Sequence, residues 1–328
     1  MREEKLPDLV DRAKKMIDKK PVKSDLRSRR LFPFERAREA LGWFLRQAEA
    51  SPGDQLLLPA YIGWSPREGS GVFDPIRELG LAPVFYRMDQ ELRVDLEDFK
   101  RKLSRHDVRF ALVIHYFGFV DDSCDELFSC LKNRNVVAIE DSAHALLTDM
   151  IESGCGRWGD ASIYSLHKLL PVEKGGLLSV RCDSPICRAF IEKEIDGSAA
   201  CNPWEYDLRE ISRRRRENYR YLIDKLPEFD RSIKPLRPRL RDVEIPQSLP
   251  VKILSASRDA LYQQMNDMGF GVVSLYHTLV HEIDKSEFRD EVALSRCIMN
   301  LPIHQDVTFE AIDDMLTALR SVLGTNGV

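Results

Sequence analysis

An aspartate, a lysine and a pair of glycines adjoin three successive apolar runs in the middle of this 328-residue chain. Asp141 comes soon after the first run, Lys168 follows the second, and Gly175 and Gly176 precede the third. The runs have the composition of β-strands and cover residues 136–139, 161–164 and 177–180. In open α/β sheets ligands bind beyond the carboxyl ends of the strands, and a buried aspartate needs a cationic partner to remain charged. The pattern predicts a ligand site with a carboxylate and an amine.

This pair of side chains suits one cofactor in particular. Pyridoxal phosphate requires a lysine to form a Schiff base, and an aspartate to keep its pyridine nitrogen protonated so that the ring acts as an electron sink. Lys168 and Asp141 are the candidates for these two tasks. For an isolated aspartate the default interpretation would be a helix cap. The assignment therefore depends on the residues that surround the pair.

The surrounding residues resemble the DegT-type family of pyridoxal-phosphate enzymes, which are chiefly aminotransferases acting on nucleotide-linked keto sugars. The resemblance is carried by EDSAH at residues 140–144, GRWGD at 156–160, YSL at 164–166, Lys168, and the glycine pair at 175–176. It covers residues 32–323 and is densest over residues 139–176. It implies an α/β fold of the aspartate-aminotransferase type (fold type I), with a doubly wound, mostly parallel sheet and a smaller C-terminal α/β domain.

The resemblance also implies roles for individual residues. Lys168 would form the Schiff base, because it lies seven residues before Gly175, whereas its competitor Lys174 directly abuts the glycine pair. Asp141 would pair with the pyridine nitrogen. His144 occupies the position that contacts the cofactor ring or its phenolic oxygen, and Ser165 would donate a hydrogen bond to the phosphate. The role of His167, directly before Lys168, stays open.

Two further parts of a cofactor site are less well defined. The family carries an aromatic side chain that stacks on the pyridine ring, and Tyr61 and Trp64 are the candidates, with packing in the core an equally weighted interpretation for either. The family's phosphate-binding Ser-Gly turn is replaced here by Phe34, Glu35 and Arg36. Glu35 would repel a phosphate. A helix N-terminus with Arg36 beside it would still attract one.

Composition and charge exclude several classes of protein. The formal net charge of -4 and the pI near 6.0 argue against a general nucleic-acid binder. The run of four arginines at 213–216 lies on a helix with an apolar stripe, which favours a solvated helix packed on the domain. Seven cysteines without a CxxC pair favour reduced thiols over disulfides or a zinc site, and we expect no metal. No apolar run reaches the ~20 residues of a membrane span, and the N-terminus lacks a signal-peptide core, so we expect a cytoplasmic protein.

Periodicity and the resemblance together divide the chain into three parts: an N-terminal arm (1–30) with a short helix at 9–19, a large cofactor-binding domain (31–205) and a small C-terminal domain (206–328) with its connecting helix. The large domain alternates strands and helices, with strands predicted at 55–58, 82–86 and 110–116. Helices are predicted at 34–48, 184–194, 206–226 and 308–323, a loop at 197–203 and a strand at 271–275. His115, at the end of one strand, is interpreted as a structural hydrogen-bonding residue.

The resemblance implies ping-pong transamination, with an amino acid, typically glutamate, as the amino donor. The acceptor would be a keto sugar of the nucleotide-linked kind, used in surface-polysaccharide or secondary-metabolite biosynthesis. A homodimer is also implied, because the family's active site lies at the subunit interface. Two alternatives stay open. One is a pyridoxal-phosphate dehydratase or other lyase of the same fold. The other is a non-catalytic binding or regulatory homologue, which the altered turn at Glu35 and a shortened segment before Tyr206 would favour.

Overall fold

A computed structural model describes residues 29–184, 186 and 202–325 of the chain. The predicted arm helix at 9–19 lies outside these residues, as do nearly all of the predicted helix at 184–194 and most of the loop at 197–203. No helix in the described ranges is long and apolar enough to cross a membrane.

The larger of two sheets has seven strands in the order β1-β7-β6-β5-β4-β2-β3. They are β1 Arg29–Phe34, β2 Gln55–Pro59, β3 Ala82–Tyr86, β4 Val108–Ile114, β5 Val137–Asp141, β6 Ala161–Ser165 and β7 Gly176–Arg181. The five strands from β6 to β3 run parallel, while β7 pairs antiparallel with both β6 and β1. The parallel strands bring the residues that follow β5 and β6 to one edge of the sheet.

Helices join these strands and cover the sheet: α1 Ala37–Gln47, α2 Phe73–Glu78, α3 Leu96–Arg105, α4 Cys124–Asn133 and α5 Leu146–Met150. The central strand β4 is an uninterrupted apolar run, and its residues Phe110, Ala111, Leu112 and Val113 are all buried. Strands of this kind are covered on both faces, which is why the sequence of β4 reads as continuously apolar rather than alternating.

The smaller sheet is antiparallel, with the order β10-β9-β8, and contains β8 Ile233–Pro235, β9 Leu249–Ile253 and β10 Ile298–Leu301. Around it lie α6 Leu208–Lys225, α7 Arg258–Asp267, α8 Arg289–Cys297 and α9 Phe309–Thr325. The strand predicted at 271–275 is wrong. Only Val273 forms a bridge, to Asn300, and the Leu275 amide donates to the side-chain oxygen of Asn300 instead of to a strand.

The start of the described chain also differs from the prediction. Arg29 and Arg30 were predicted to end a solvated arm, and a helix was predicted to begin at Phe34, but residues 29–34 form the edge strand β1 and α1 begins at Ala37. Arg29 is buried because its guanidinium lies 2.6 Å from the carboxylate of Asp149, which also accepts a hydrogen bond from the Tyr164 hydroxyl. An ion partner distant in sequence makes burial of this arginine possible.

The run of four arginines at 213–216 on α6 divides into two pairs. Arg213 and Arg214 are exposed and pair with Glu210 on the same helix. Arg215 and Arg216 turn toward the body of the protein and donate to backbone carbonyl groups. The helix is therefore packed on the domain, as the apolar stripe predicts, and its basic run does not form one charged surface.

Candidate active site

A cavity of about 450 Å³ lies at the carboxyl ends of β5 and β6. Its walls come from the loop after β5, the turn after β6, the start of α1, residues 62–72 and residues 274–277. Ligand sites of small molecules typically have volumes of about 300–1,000 Å³. Of the seven side chains singled out as site residues from the sequence, six line this cavity: Arg36, Trp64, Asp141, His144, Ser165 and Lys168.

Glu140 and Asp141 end β5 and, as successive strand residues, point to opposite faces of the sheet. Asp141 lines the cavity, and its Oδ1 accepts a 2.9 Å hydrogen bond from the Ala143 amide. Within the described residues its Oδ2 has no hydrogen-bond donor. Burial raises the pKa of Asp141, and the nearby Lys168 amine only partly opposes this. A carboxylate with a free oxygen in a cavity is available to a cationic N–H group of a ligand.

Lys168 lies in a single 3₁₀ turn, Leu166–Lys168, which directly follows β6. Its Nζ is 2.9 Å from Nε2 of His144. The backbone amide of Phe117 donates a 3.1 Å hydrogen bond to Nδ1 of the same ring. Because Nδ1 is an acceptor, we place the proton of the neutral imidazole on Nε2, so Nε2–H must donate to Lys168.

This arrangement favours the neutral form of Lys168, whose lone pair would accept the hydrogen bond. The surroundings agree with this assignment, since burial lowers the pKa of Lys168 and the attraction of Asp141 only partly opposes it. Burial likewise holds the pKa of His144 well below its ordinary value, and the Lys168 charge acts in the same direction. The site thus shifts Lys168 toward its neutral, nucleophilic form.

Glu140, on the other face of β5, has a contrasting environment. Its two oxygens accept hydrogen bonds from the amides of Gly156 (2.7 Å), Trp158 (2.8 Å) and Gly159 (2.8 Å), and His115 Nε2 lies 2.9 Å away. Burial acts to raise the pKa of Glu140, but these donors outweigh it and hold the pKa below its ordinary value. His115 therefore has a structural partner, in line with its interpretation from the sequence.

Three cationic side chains line the cavity, together with the acidic Glu68 and Glu173. Arg36, Arg38 and Lys174 line it, next to the N-terminus of α1, whose first amides have no acceptor within the helix. Gly176 allows the helix to come this close, because a Cβ there would lie 2.3 Å from the Arg36 carbonyl carbon. Glu35 forms an ion pair with Lys174, so its charge is partly compensated. The altered turn therefore keeps the means to bind an anion.

Ser165 and His167 lie just before Lys168 in the chain. The Ser165 hydroxyl is 3.3 Å from Nδ1 of His167, and both residues line the cavity. Burial lowers the pKa of His167, and the Lys168 charge adds to this effect. The predicted phosphate donor is therefore near the arginines.

The aromatic candidates occupy different places. Tyr61 is fully buried between Tyr116 and Tyr276 and does not line the cavity, whereas Trp64 does. Trp64 thus stays the candidate for ring stacking. The sequence analysis missed Tyr276, which lines the cavity and packs against Gly63. Its φ of 60° is unusual for a bulky residue, and no motif in the sequence indicated it.

These residues fit pyridoxal phosphate. Asp141 offers an unpartnered carboxylate oxygen for the pyridine nitrogen, Lys168 a neutral amine for the aldehyde, and the α1 terminus with Arg36 an electropositive site for the phosphate. Among the described residues no group of three His, Cys, Asp or Glu side chains could hold a metal ion.

Comparison with known proteins agrees with this geometry. Residues 35–188 match the DegT/DnrJ/EryC1/StrS aminotransferase family. The spore coat polysaccharide biosynthesis protein SpsC of Bacillus subtilis (strain 168) is 27% identical over 142 residues, which are 43% of this chain. The match spans 35% of the length of SpsC.

Several solved structures share the fold. The aminotransferase TlmJ of Streptoalloteichus hindustanus aligns with a TM-score of 0.72 and 21% identity, over 91% of this chain and 87% of that chain. A DegT/DnrJ/EryC1/StrS aminotransferase of Brucella abortus aligns with a TM-score of 0.72 and 16% identity, over 97% and 91%. NtdA of Bacillus subtilis, solved with bound cofactor PMP, aligns with a TM-score of 0.71 and 15% identity, over 91% and 74%.

The structural similarity confirms the predicted fold, the mostly parallel α/β fold of the aminotransferases. The family match covers β2 to β7, the whole of α1 and the residues Asp141, His144 and Lys168 in one continuous stretch. Over residues 35–188, which are less than half of the chain, this protein is similar to the DegT/DnrJ/EryC1/StrS aminotransferase family.

Proposed function

We propose that this protein is a pyridoxal-phosphate-dependent aminotransferase that moves an amino group from an amino acid, typically glutamate, to a keto sugar. The observation that carries the proposal is the position of the Lys168 amine, 2.9 Å from Nε2 of His144 and in the same cavity as the free carboxylate oxygen of Asp141. The match of residues 35–188 to an aminotransferase family supports the choice of reaction.

When bound, pyridoxal phosphate supplies an aldehyde that condenses with amines and a ring that accepts an electron pair. Asp141 orients that ring through its free oxygen, and its negative charge favours a protonated pyridine nitrogen. The raised pKa of Asp141 falls once a cation pairs with it. His144 donates through Nε2, and its tautomer is set by the Phe117 amide.

Lys168 has two tasks. As a neutral amine it would attack an aldehyde without first losing a proton, and as a free amine its Nζ would move a proton from the amine-bearing carbon of the donor to the carbon that receives the amino group. Both tasks need a pKa near the working pH, and burial shifts the pKa of Lys168 downward from 10.5, in that direction.

Arg36 and Arg38 and the first amides of α1 orient the phosphate end. Lys174 contributes a further positive charge, which Glu35 partly compensates. Trp64 lines the cavity and would stack on the cofactor ring. These contacts argue against the non-catalytic alternative, which the altered turn at Glu35 favoured.

We further propose that the acceptor is a nucleotide-linked keto sugar used in polysaccharide biosynthesis, which is supported by the partial similarity to SpsC. The protein would act in the cytoplasm as a homodimer. Residues 31–205 would form the cofactor domain and 206–328 the small domain, a division supported by the separate seven-stranded and three-stranded sheets.

The proposal is tested by adding pyridoxal phosphate to the purified protein, recording the visible absorption before and after borohydride reduction, and mapping the labelled peptide. We expect a reducible band and a label on Lys168. Lys168→Ala should abolish the label, while Lys174→Ala, the matched control, should keep it. A missing band, or a label on another lysine, contradicts the proposal.

Product analysis then separates transamination from elimination. With glutamate and a nucleotide-linked keto sugar, a transaminase forms an amino sugar and one equivalent of 2-oxoglutarate. Loss of a hydroxyl group without incorporation of nitrogen would instead indicate the dehydratase alternative, which the position of His167 on the cavity wall beside Lys168 keeps in view.

A further inference from the structure

Arg215 of α6 is a buried cation without an acidic partner. Its side chain donates to the carbonyl oxygens of Leu169 (3.1 Å) and Gln247 (2.9 Å), and among the described residues no carboxylate lies within ion-pair distance. Burial lowers the pKa of Arg215 to about 10. A buried charge of this kind costs free energy of folding, so its contacts invite a functional explanation.

The two carbonyl groups lead to the two members of the reactive pair. Leu169 directly follows Lys168. The Gln247 amide donates to the Phe117 carbonyl at 2.7 Å, and the Phe117 amide donates to Nδ1 of His144 at 3.1 Å. His144 Nε2 then reaches Lys168 Nζ at 2.9 Å. The guanidinium therefore closes a ring of hydrogen bonds and covalent links that contains both side chains.

We propose that Arg215 is a positioning residue that holds Lys168 and His144 in register by anchoring the backbone behind each of them. Arg215 does not line the cavity and touches no reacting atom. The inference rests on the proposed function in one respect, namely that Lys168 is the reactive amine.

The chemistry of the side chain explains why an arginine is required. The two carbonyl groups bind to different nitrogens of one planar guanidinium, so their relative position is set by a rigid group. A lysine at this position would carry the same charge on a single nitrogen and a flexible stem. It could hold one carbonyl group well, but it could not fix the distance between the two.

Other charged groups also act on Lys168 and must be kept constant in a test. Asp141 and Glu68 favour its protonated form, whereas Arg38 opposes it, and His144 is its hydrogen-bond partner. None of these four residues is in contact with Arg215, so substitution of Arg215 leaves them in place.

The test is reductive methylation of the cofactor-free protein with formaldehyde and cyanoborohydride between pH 6 and 10, with the modification of Lys168 followed by mass spectrometry. Only neutral amines react, so the pH profile reports the protonation of Lys168. We expect Arg215→Met to lower the rate at Lys168 about tenfold at neutral pH, which equals a rise of about one pKa unit. Arg215→Lys should give an intermediate shift.

The matched control is Arg216→Met. Arg216 lies on the same helix and donates to the Glu244 carbonyl and to Glu152, but it is outside the ring. We expect its Lys168 profile to match that of the wild type. A wild-type profile in Arg215→Met or Arg215→Lys, or an equal shift in Arg216→Met, overturns the proposal.

Circular dichroism verifies the fold of each variant. If Arg215→Met does not fold, the Lys168 profile of Arg215→Lys alone tests the proposal. The assay needs no cofactor. The wild-type protein could fail to bind pyridoxal phosphate while the variants show the expected Lys168 profiles. That result would contradict the proposed function but not the positioning role of Arg215.

Discussion

The two faces of β5 carry carboxylates that are neighbours in sequence and opposites in environment. Glu140 is surrounded by three backbone amides and His115, and its pKa is lowered despite burial. Asp141 receives one amide, has one oxygen free in the cavity, and has a raised pKa. The chain supplies enough donors to stabilise the first charge and too few to stabilise the second.

This difference indicates which face serves structure and which serves ligand binding. A fully hydrogen-bonded buried carboxylate stabilises the fold, whereas a buried carboxylate that lacks donors costs stability unless a ligand supplies the missing charge. Substitution of each acid by its amide should therefore separate the two roles, because one variant loses stability and the other loses activity.

The largest expected effect is on activity. Asp141→Asn removes the charge that stabilises a protonated ring nitrogen, and we expect amino transfer from glutamate in a single turnover to slow by about a hundred- to a thousandfold. Glu140→Gln, measured at a temperature where it is folded, should stay within a few fold of the wild type. Equal activity losses in both variants would contradict the assignment of the Asp141 face of β5 to ligand binding and the Glu140 face to structure.

The second effect is on stability. Glu140→Gln replaces an acceptor by an NH₂ group that faces backbone N–H donors, and we expect the free energy of unfolding to fall by about 3 kcal/mol. Urea denaturation followed by circular dichroism measures this. Glu126→Gln, an exposed change on α4, is the control and should leave the midpoint unchanged. A Glu140→Gln midpoint like that of the wild type would show that the donors around Glu140 do not stabilise its charge.

The third effect has the opposite sign. Asp141→Asn removes a buried charge that is poorly compensated in the cofactor-free protein, so we expect the free energy of unfolding to rise by about 1 kcal/mol. The same urea titration measures the change. Added pyridoxal phosphate should reduce or reverse this gain, because only the wild type gains the ion pair. A loss of stability in the cofactor-free variant would mean that Asp141 is already compensated by the protein.

The smallest effect is in the pH dependence of these differences. The folded-state pKa of Glu140 is lowered. The stability that the Glu140 charge contributes is therefore complete above the ordinary pKa of 4.5 and is lost only as the pH falls further. The folded-state pKa of Asp141 is raised above 3.8, so the loss of stability caused by its buried charge disappears as the pH falls through that raised pKa. As the pH falls, urea titrations should show the Asp141→Asn gain shrinking through the raised pKa of Asp141, whereas the Glu140→Gln deficit should stay full down to 4.5 and shrink below it. Parallel changes in both would contradict the assigned directions.

Much of the site could be predicted from the sequence, because its residues lie at the ends of adjacent strands. Asp141, Ser165 and Lys168 follow strands whose apolar composition is plain, and the strand at Ala82–Tyr86 has the predicted bounds. Parallel pairing then brings these strand ends together without further information. The local sequence pattern is sufficient to locate a site residue wherever a strand end itself sets the position of that residue.

The remaining features depend on contacts between distant parts of the chain. Tyr276 reaches the cavity in a turn with positive φ, which periodicity does not predict for a tyrosine. Arg29 reads as part of a charged arm, yet the remote Asp149 allows its burial. In the sequence Arg215 is one of four successive arginines. Only the packing of α6 shows that Arg215 donates to backbone carbonyl groups, whereas Arg213 pairs with an acid on the same helix.

The cavity wall has a thermodynamic consequence, because residues 274–277 lie in the same part of the chain as the small sheet, while the other walls belong to the large one. A ligand that fills the cavity contacts both parts and binds only the assembled native state. At a hundred times its dissociation constant such a ligand adds about 2.7 kcal/mol to the free energy of unfolding. The melting temperature can therefore rank candidate ligands of the cavity by affinity, even those that never react.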